Sequence, residues 1–231
     1  MRKLLTVLAL ALLLGAAGVR ADGNREVYFS CAAGEGKKIA LTFDDGPHPV
    51  YTKEILEILE EYGIRATFFV IGVNAERWPE LVREELAAGH EIGNHTYAHA
   101  NLQKETYETV RGEILNAEEI LTDCTARRPH LLRPPGGLYC DAVGKAAEEL
   151  DYTVILWSVD PRDWAHTAVE EIVENVLTNT DSGDILLFHD YVSGQSPTPE
   201  ALRRILPVLI ERGYEFVTVS ELLGGTVETD S

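Results

Sequence analysis

From Ile39 to Leu223 one local pattern recurs, and it restricts the fold more than any other feature of the chain. Short apolar runs rich in β-formers stand at residues 39–43, 66–71, 91–93, 130–133, 153–157, 184–188 and 215–219. Helical spacing of apolar residues follows each, at 52–62, 79–88, 106–123, 141–150, 168–178 and 199–212, with a last turn at 220–223. The segment 52–62 shows the logic. Ile55, Leu56, Ile58, Leu59 and Tyr62 form a stripe, glutamates fill the other positions, and Gly63 stops the helix. Strands that alternate with helices at this spacing require right-handed crossovers and a mainly parallel sheet, an α/β fold. Seven units suit an open doubly wound sheet or a closed, imperfect barrel, and either gathers functional residues at the carboxyl ends of its strands.

The ends of the chain add an address and a charge. Arg2 and Lys3 precede an apolar run from Leu4 to Val19 that closes on Val19-Arg20-Ala21, the layout of a secretory signal peptide cut after residue 21. Sixteen apolar residues are short of the roughly 20 that a spanning helix needs, so no stable membrane span is expected after cleavage. Residues 22–37 read as a polar leader and 38–231 as one domain. The formal charge is −18, from 38 acidic and 20 basic side chains. Loss of residues 1–21 removes Arg2, Lys3 and Arg20, leaving 17 basic against 38 acidic groups and −21. Such a chain is not built to neutralise nucleic-acid phosphates or to sit on an anionic membrane. Three cysteines, Cys31, Cys124 and Cys140, allow at most one bridge and form no zinc knuckle or redox pair.

Five segments place polar residues at strand ends. In Thr42-Phe43-Asp44-Asp45-Gly46-Pro47 two adjacent carboxylates point in different directions, so one can bind a cation while the other meets water; Asp-Gly-Pro is equally good turn chemistry. His95 and His99 in Asn94-His95-Thr96-Tyr97-Ala98-His99 can face one cation if a helical turn separates them, or can be unrelated surface imidazoles. With Asp45 they give two nitrogens and one oxygen, leaving open positions as a catalytic site requires. Arg133-Pro134-Pro135-Gly136-Gly137 offers an arginine able to hold a carboxylate, or a rigid turn with a solvated arginine. Asp160-Pro161-Arg162-Asp163-Trp164 supplies a carboxylate and an indole, with core packing the competing role for Trp157 and Trp164. Leu186-Leu187-Phe188-His189-Asp190 ends an apolar strand on a titratable ring, a costly place unless something pairs with it.

Together and in this order, these five motifs resemble the polysaccharide deacetylase (NodB-homology) family, the family 4 carbohydrate esterases, over residues 38–223. The resemblance implies a distorted seven-stranded (β/α) barrel and a metal-dependent hydrolase that removes N-acetyl groups. By motif, Asp45, His95 and His99 would bind a divalent metal, usually zinc, with cobalt or manganese as substitutes. Asp44 would be the general base and His189 the acid that protonates the leaving amine. Arg133 would hold Asp44 and Asp163 would tune His189. Leu187 and Trp164 would line the acetyl pocket, and a backbone N–H near Gly136 would stabilise the oxyanion. Many relatives carry an aromatic residue where Gly136 stands, and Tyr139 is the expected compensation for the missing groove wall. On such a barrel Cys124 and Cys140 fall at opposite ends, which makes Cys31 the expected partner of Cys124.

The expected substrate is an acetylated glycan outside a bacterial membrane, peptidoglycan first, acted on by a monomer that is secreted or wall-associated. Chitooligosaccharides, an exopolysaccharide or xylan are alternatives within the same chemistry. A non-catalytic glycan-binding member of the fold and a metal-stabilised wall protein are the rival classes.

Overall fold

The computed structural model describes residues 18–21, 25–31 and 36–224. Most of the expected signal peptide, and part of the leader, lie outside the described residues. Strand β1 (Gly18–Ala21) pairs antiparallel with β2 (Arg25–Tyr28), and β2 pairs in parallel with β7 (Thr153–Ile155). The barrel proper begins with β3 (Lys37–Asp44) and continues through β4 (Thr67–Val70), β5 (Glu91–Asn94), β6 (Leu131–Leu132), β7, β8 (Ile185–His189) and β9 (Tyr214–Val217). Helices α1 (Tyr51–Tyr62), α3 (Pro79–Ala87), α4 (Tyr107–Thr125), α5 (Asp141–Glu149), α6 (Val169–Asn179) and α7 (Thr198–Glu211) return the chain between successive strands. The seven expected units are all present.

The ring runs β7-β6-β5-β4-β3-β8, every neighbour parallel. The chain beyond β7 closes it: Val159 bridges Leu186, and the Leu187 N–H donates to the Val159 carbonyl at 2.9 Å. Closure is uneven. The foot of β3, Lys37 to Ala40, pairs with β9, while its upper part, Thr42 to Asp44, pairs with β4. The seventh strand is thus wedged beside the foot of β3, which is the distortion of this barrel.

Side-chain alternation divides each strand between two environments. Leu41, Phe43, Phe68, Leu186 and Phe188 face outward into the largest apolar cluster, with Ile55, Ile58 and Leu59 of α1 and Leu202, Ile205 and Leu209 of α7. Each such side chain contributes about 1.5–3 kcal/mol on burial. Ala40, Phe69, Leu131, Ile155 and Ile185 form a smaller cluster with Val219. These are the inward positions, and the same parity carries Thr42, Asp44, Leu187, His189 and Arg133 into the throat above them.

Three local features depart from the sequence expectation. Strand β2 lies inside the expected leader; Val27 is buried in a cluster with Leu132 and Val154, a contact that four residues of local pattern do not reveal. Helix α2 (Gly72–Arg77) was unmarked because it buries only Gly72 and Ala75 and so has no apolar stripe. The expected Cys31–Cys124 bridge is absent, since all three cysteines are free. The Cys31 N–H donates to the Gly183 carbonyl ahead of β8, whereas Cys124 ends α4 within the largest apolar cluster.

Candidate active site

The throat is built on strand ends. β3 and β8 pair in a register that sets Asp44 opposite His189. Arg133, directly after β6, is fully buried, with its guanidinium 4.0 Å from the Phe69 ring centre. Its Nη1 donates to Asp44 Oδ1 at 2.6 Å and to Thr42 Oγ1 at 2.9 Å; Nη2 and Nε donate to the Leu156 and Ile155 carbonyls at 3.1 and 3.3 Å. A charge this deep is tolerable only when paired and fully hydrogen-bonded, so Arg133 is no solvated turn residue. Asp44 is thereby held as a buried carboxylate whose Oδ2 stays 3.7 Å from His95 Nε2.

Beside it the chain turns sharply. Asp45 has a left-handed backbone (φ 76°), and a Cβ on Gly46 would lie 2.1 Å from the Asp190 carboxylate, so only glycine fits there. Asn74 of α2 donates to the Asp45 carbonyl at 2.8 Å. Asp45 Oδ1 comes within 3.4 Å of His95 Nε2 and 3.3 Å of His99 Nε2, and one ligand atom from each of the three lies within 4.8 Å of the others. The two histidines do not converge through a helical turn, as the spacing suggested. The segment between them is irregular, with Thr96 and His99 left-handed at φ 67° and 53°.

Fully buried Asn94 holds that segment: its Oδ1 accepts the Thr96 N–H at 2.8 Å, and its Nδ2 donates to the Ile114 carbonyl of α4 and to the Tyr152 hydroxyl. His95 Nδ1 lies 2.7 Å from the Arg133 carbonyl, which makes it the donor and leaves the Nε2 lone pair facing Asp45.

These residues fit a cation. Asp45 Oδ1 is buried with no hydrogen-bond partner, and an orphaned anionic oxygen between two imidazole nitrogens is what a divalent ion would satisfy. Burial opposes a proton on His95, but the charges of Asp44 and Asp45 outweigh it and hold its titration above the usual imidazole range. His99 titrates below its usual range because of burial and the charge of His95.

Across the throat, His189 Nδ1 lies 2.8 Å from Asp163 Oδ1, and the His189 N–H donates to Asp163 Oδ2 at the same distance. Thr198 Oγ1 and the Trp164 N–H also donate to this fully buried carboxylate. Burial works against the imidazolium. The Asp163 hydrogen bond and charge, with Asp44 and Asp45 beyond, prevail and push His189 up to about 9.

The remaining predicted residues surround this centre. Gly136 is left-handed (φ 61°) in the turn after Arg133, and Leu187 is buried on the throat side of β8. Trp164 is 47% exposed at the rim. Tyr139 packs against the cluster of Leu102 and Leu132. Trp157 takes the core-packing role, set against two apolar clusters and so close to Gly137 that a Cβ there would lie 2.7 Å from its ring.

Sequence reasoning missed several supports. Thr42 shares the parity of Asp44 and was legible on that ground; Asn94, a polar residue at the end of β5, carried a weaker signal; Asn74 and Thr198 carried none. Asp190 was quoted without a role. Its Oδ2 accepts from Thr52 Oγ1 at 2.5 Å, and burial together with the Asp45 and Asp44 charges outweighs that bond to push it up to about 7.

Fold and side-chain geometry together place the chain among the hydrolases that work at the carboxyl edge of a parallel barrel. Residues 32–155 match the family model described as polysaccharide deacetylase, and the chain belongs to that family, the family 4 carbohydrate esterases. It is accordingly a deacetylase, a hydrolase of amide bonds other than peptide bonds.

Among its relatives is a peptidoglycan-N-acetylglucosamine deacetylase of Bacillus cereus, 49% identical over 189 residues, 81% of this chain and 88% of that one. A chitooligosaccharide deacetylase of Sinorhizobium fredii is 37% identical over 76% of this chain and 87% of its own length. Among solved structures, the Bc1960 peptidoglycan N-acetylglucosamine deacetylase superposes with a TM-score of 0.82 at 37% identity, covering 87% of this chain and 94% of that one. Among the described residues no helix is long and apolar enough to cross a membrane.

Proposed function

We infer that the protein removes N-acetyl groups from N-acetylglucosamine residues of peptidoglycan, outside the bacterial membrane, as an exported monomer. The carrying observation is the orphaned Asp45 Oδ1 between His95 and His99, next to an arginine-paired Asp44. The names of the Bacillus cereus relative and of the Bc1960 enzyme support the choice of substrate.

Asp45, His95 and His99 would hold a divalent metal, zinc first, with cobalt or manganese as substitutes; when bound it would polarise a water and the acetamide carbonyl. Asp44, held in place by Arg133, takes a proton from the attacking water as the oxygen–carbon bond forms. The backbone N–H at Gly136 faces the oxyanion that develops. His189, charged and braced by Asp163, gives its proton to the departing nitrogen as the carbon–nitrogen bond breaks. Acetate and a free amino sugar result, with Leu187 and Trp164 around the acetyl group and Tyr139 behind the groove. An amide has a poor leaving group, so a base and an acid are both needed, and two separately braced groups supply them.

Acetate release from peptidoglycan, N-acetylglucosamine oligomers and acetylated xylan tests this. Peptidoglycan should be the fastest substrate, and chelation should abolish turnover. Asp44→Asn should lower kcat about 10³-fold while elemental analysis still finds the metal bound. Retained turnover in Asp44→Asn would remove the base assignment. The Sinorhizobium fredii relative favours a second reading, a chitooligosaccharide deacetylase, which oligomers outpacing peptidoglycan would establish.

A further inference from the structure

The barrel rim holds a second constellation that hydrolysis does not use. His48, three residues past Asp45, accepts the backbone N–H groups of Val50 and Tyr51 on Nδ1, both at 3.2 Å. Its backbone N–H donates to Thr52 Oγ1 at 2.7 Å. A neutral imidazole that accepts on Nδ1 carries its proton on Nε2, and that Nε2–H has no partner among the described residues.

The ring is fixed in place. It stacks on Tyr51 with centroids 4.7 Å apart and meets Tyr191 edge-on at 4.8 Å. Trp78 completes the group, 6.4 Å from His48 and 6.2 Å from Tyr191. All four rings are part-exposed, and none belongs to the apolar clusters that form the core.

They come from the elements that build the reaction centre. His48 and Tyr51 lie on the connection that begins with Asp45, and Tyr191 follows His189 by two residues. The Trp78 N–H donates to the carbonyl of Asn74, whose side chain holds Asp45. Flat aromatic faces beside a rigid donor suit a pyranose ring, which has apolar C–H faces and equatorial oxygens at its edge.

We propose that His48, Trp78 and Tyr191 form a sugar subsite that holds the residue next to the one being deacetylated, with the His48 Nε2–H donating to a hydroxyl or acetamido oxygen. This rests on the glycan-deacetylase reading of the neighbouring centre.

Calorimetric titration with N-acetylglucosamine and its hexamer tests it, in the Asp44→Asn background so that the ligand persists. Trp78→Ala removes the stacking face. His48→Asn keeps an acceptor at the start of α1 and deletes the outward donor. Each should weaken hexamer binding about tenfold and leave the single sugar unchanged. Equal weakening for both ligands, no weakening for the hexamer, or no hexamer binding by the Asp44→Asn chain would overturn the subsite. Acetate release is measured separately in the unaltered chain. Hexamer binding that depends on these residues without any acetate release would remove the hydrolase reading and leave the subsite standing.

Discussion

The throat of the barrel and the loop after β5 meet at the candidate active site and are built in opposite ways. In the throat, Asp44, Arg133 and His189 stand at or just past the ends of regular strands, buried and each paired at 2.6–2.8 Å. In the loop, His99 is brought to Asp45 by irregular backbone, with left-handed residues at positions 96 and 99, and Asp45 after β3 is left-handed as well. Such conformations cost about 1–3 kcal/mol each for residues other than glycine and persist only where the surroundings hold them. His99 is also 41% exposed at its side chain, whereas Arg133 is wholly enclosed. The pairs in the throat therefore contribute to the barrel's integrity. The loop instead holds its candidate ligand His99 through strained backbone.

The largest effect should come from breaking the throat. Arg133→Met leaves Asp44 buried without its counter-charge and should lower unfolding free energy by about 3–5 kcal/mol, read by urea denaturation. A loss under 1 kcal/mol would mean that the pair is not integral to the barrel.

The loop should respond differently. Asn94→Ala frees Thr96 without touching a ligand atom, so zinc affinity should fall about 10–100-fold while kcat at saturating zinc stays near its original value. Competition with a chromophoric chelator measures this. A fall in kcat with unchanged affinity would erase the distinction between the two regions.

The smallest effect is a titration. In the metal-free protein, NMR should place the His189 midpoint near 9, and Asp163→Asn should lower it, because burial then acts with less opposition. The pair's contribution to stability is complete below about 6.5, the ordinary histidine value, and is lost as pH rises through about 9. A midpoint below 6.5 in the unaltered chain would show that Asp163 does not govern this ring.

Legibility in the sequence follows the same division. The short apolar runs placed Asp44 and His189 at strand ends, and the order of five motifs, Leu187 among them, identified the family. Helix α2 left no stripe to read, and the turn that joins His95 to His99 was misjudged, because left-handed backbone at Thr96 and His99 has no signature in residue type. Cys31 and Cys124 show the limit of placing residues by barrel end alone, since a shared end does not bring two side chains into contact.

The sequence by itself determined the alternation of strand and helix, the face on which each strand residue lies, and the set of groups able to do the chemistry. Those properties depend on neighbours two to four residues apart. Tertiary structure decided that the ring closes through Val159 and Leu186, that β9 wedges beside the foot of β3, and that Arg133 crosses the throat to Asp44, 89 residues earlier. It also gathered His48, Trp78 and Tyr191 into one rim. Those contacts depend on register between strands far apart in the chain, which no local pattern encodes.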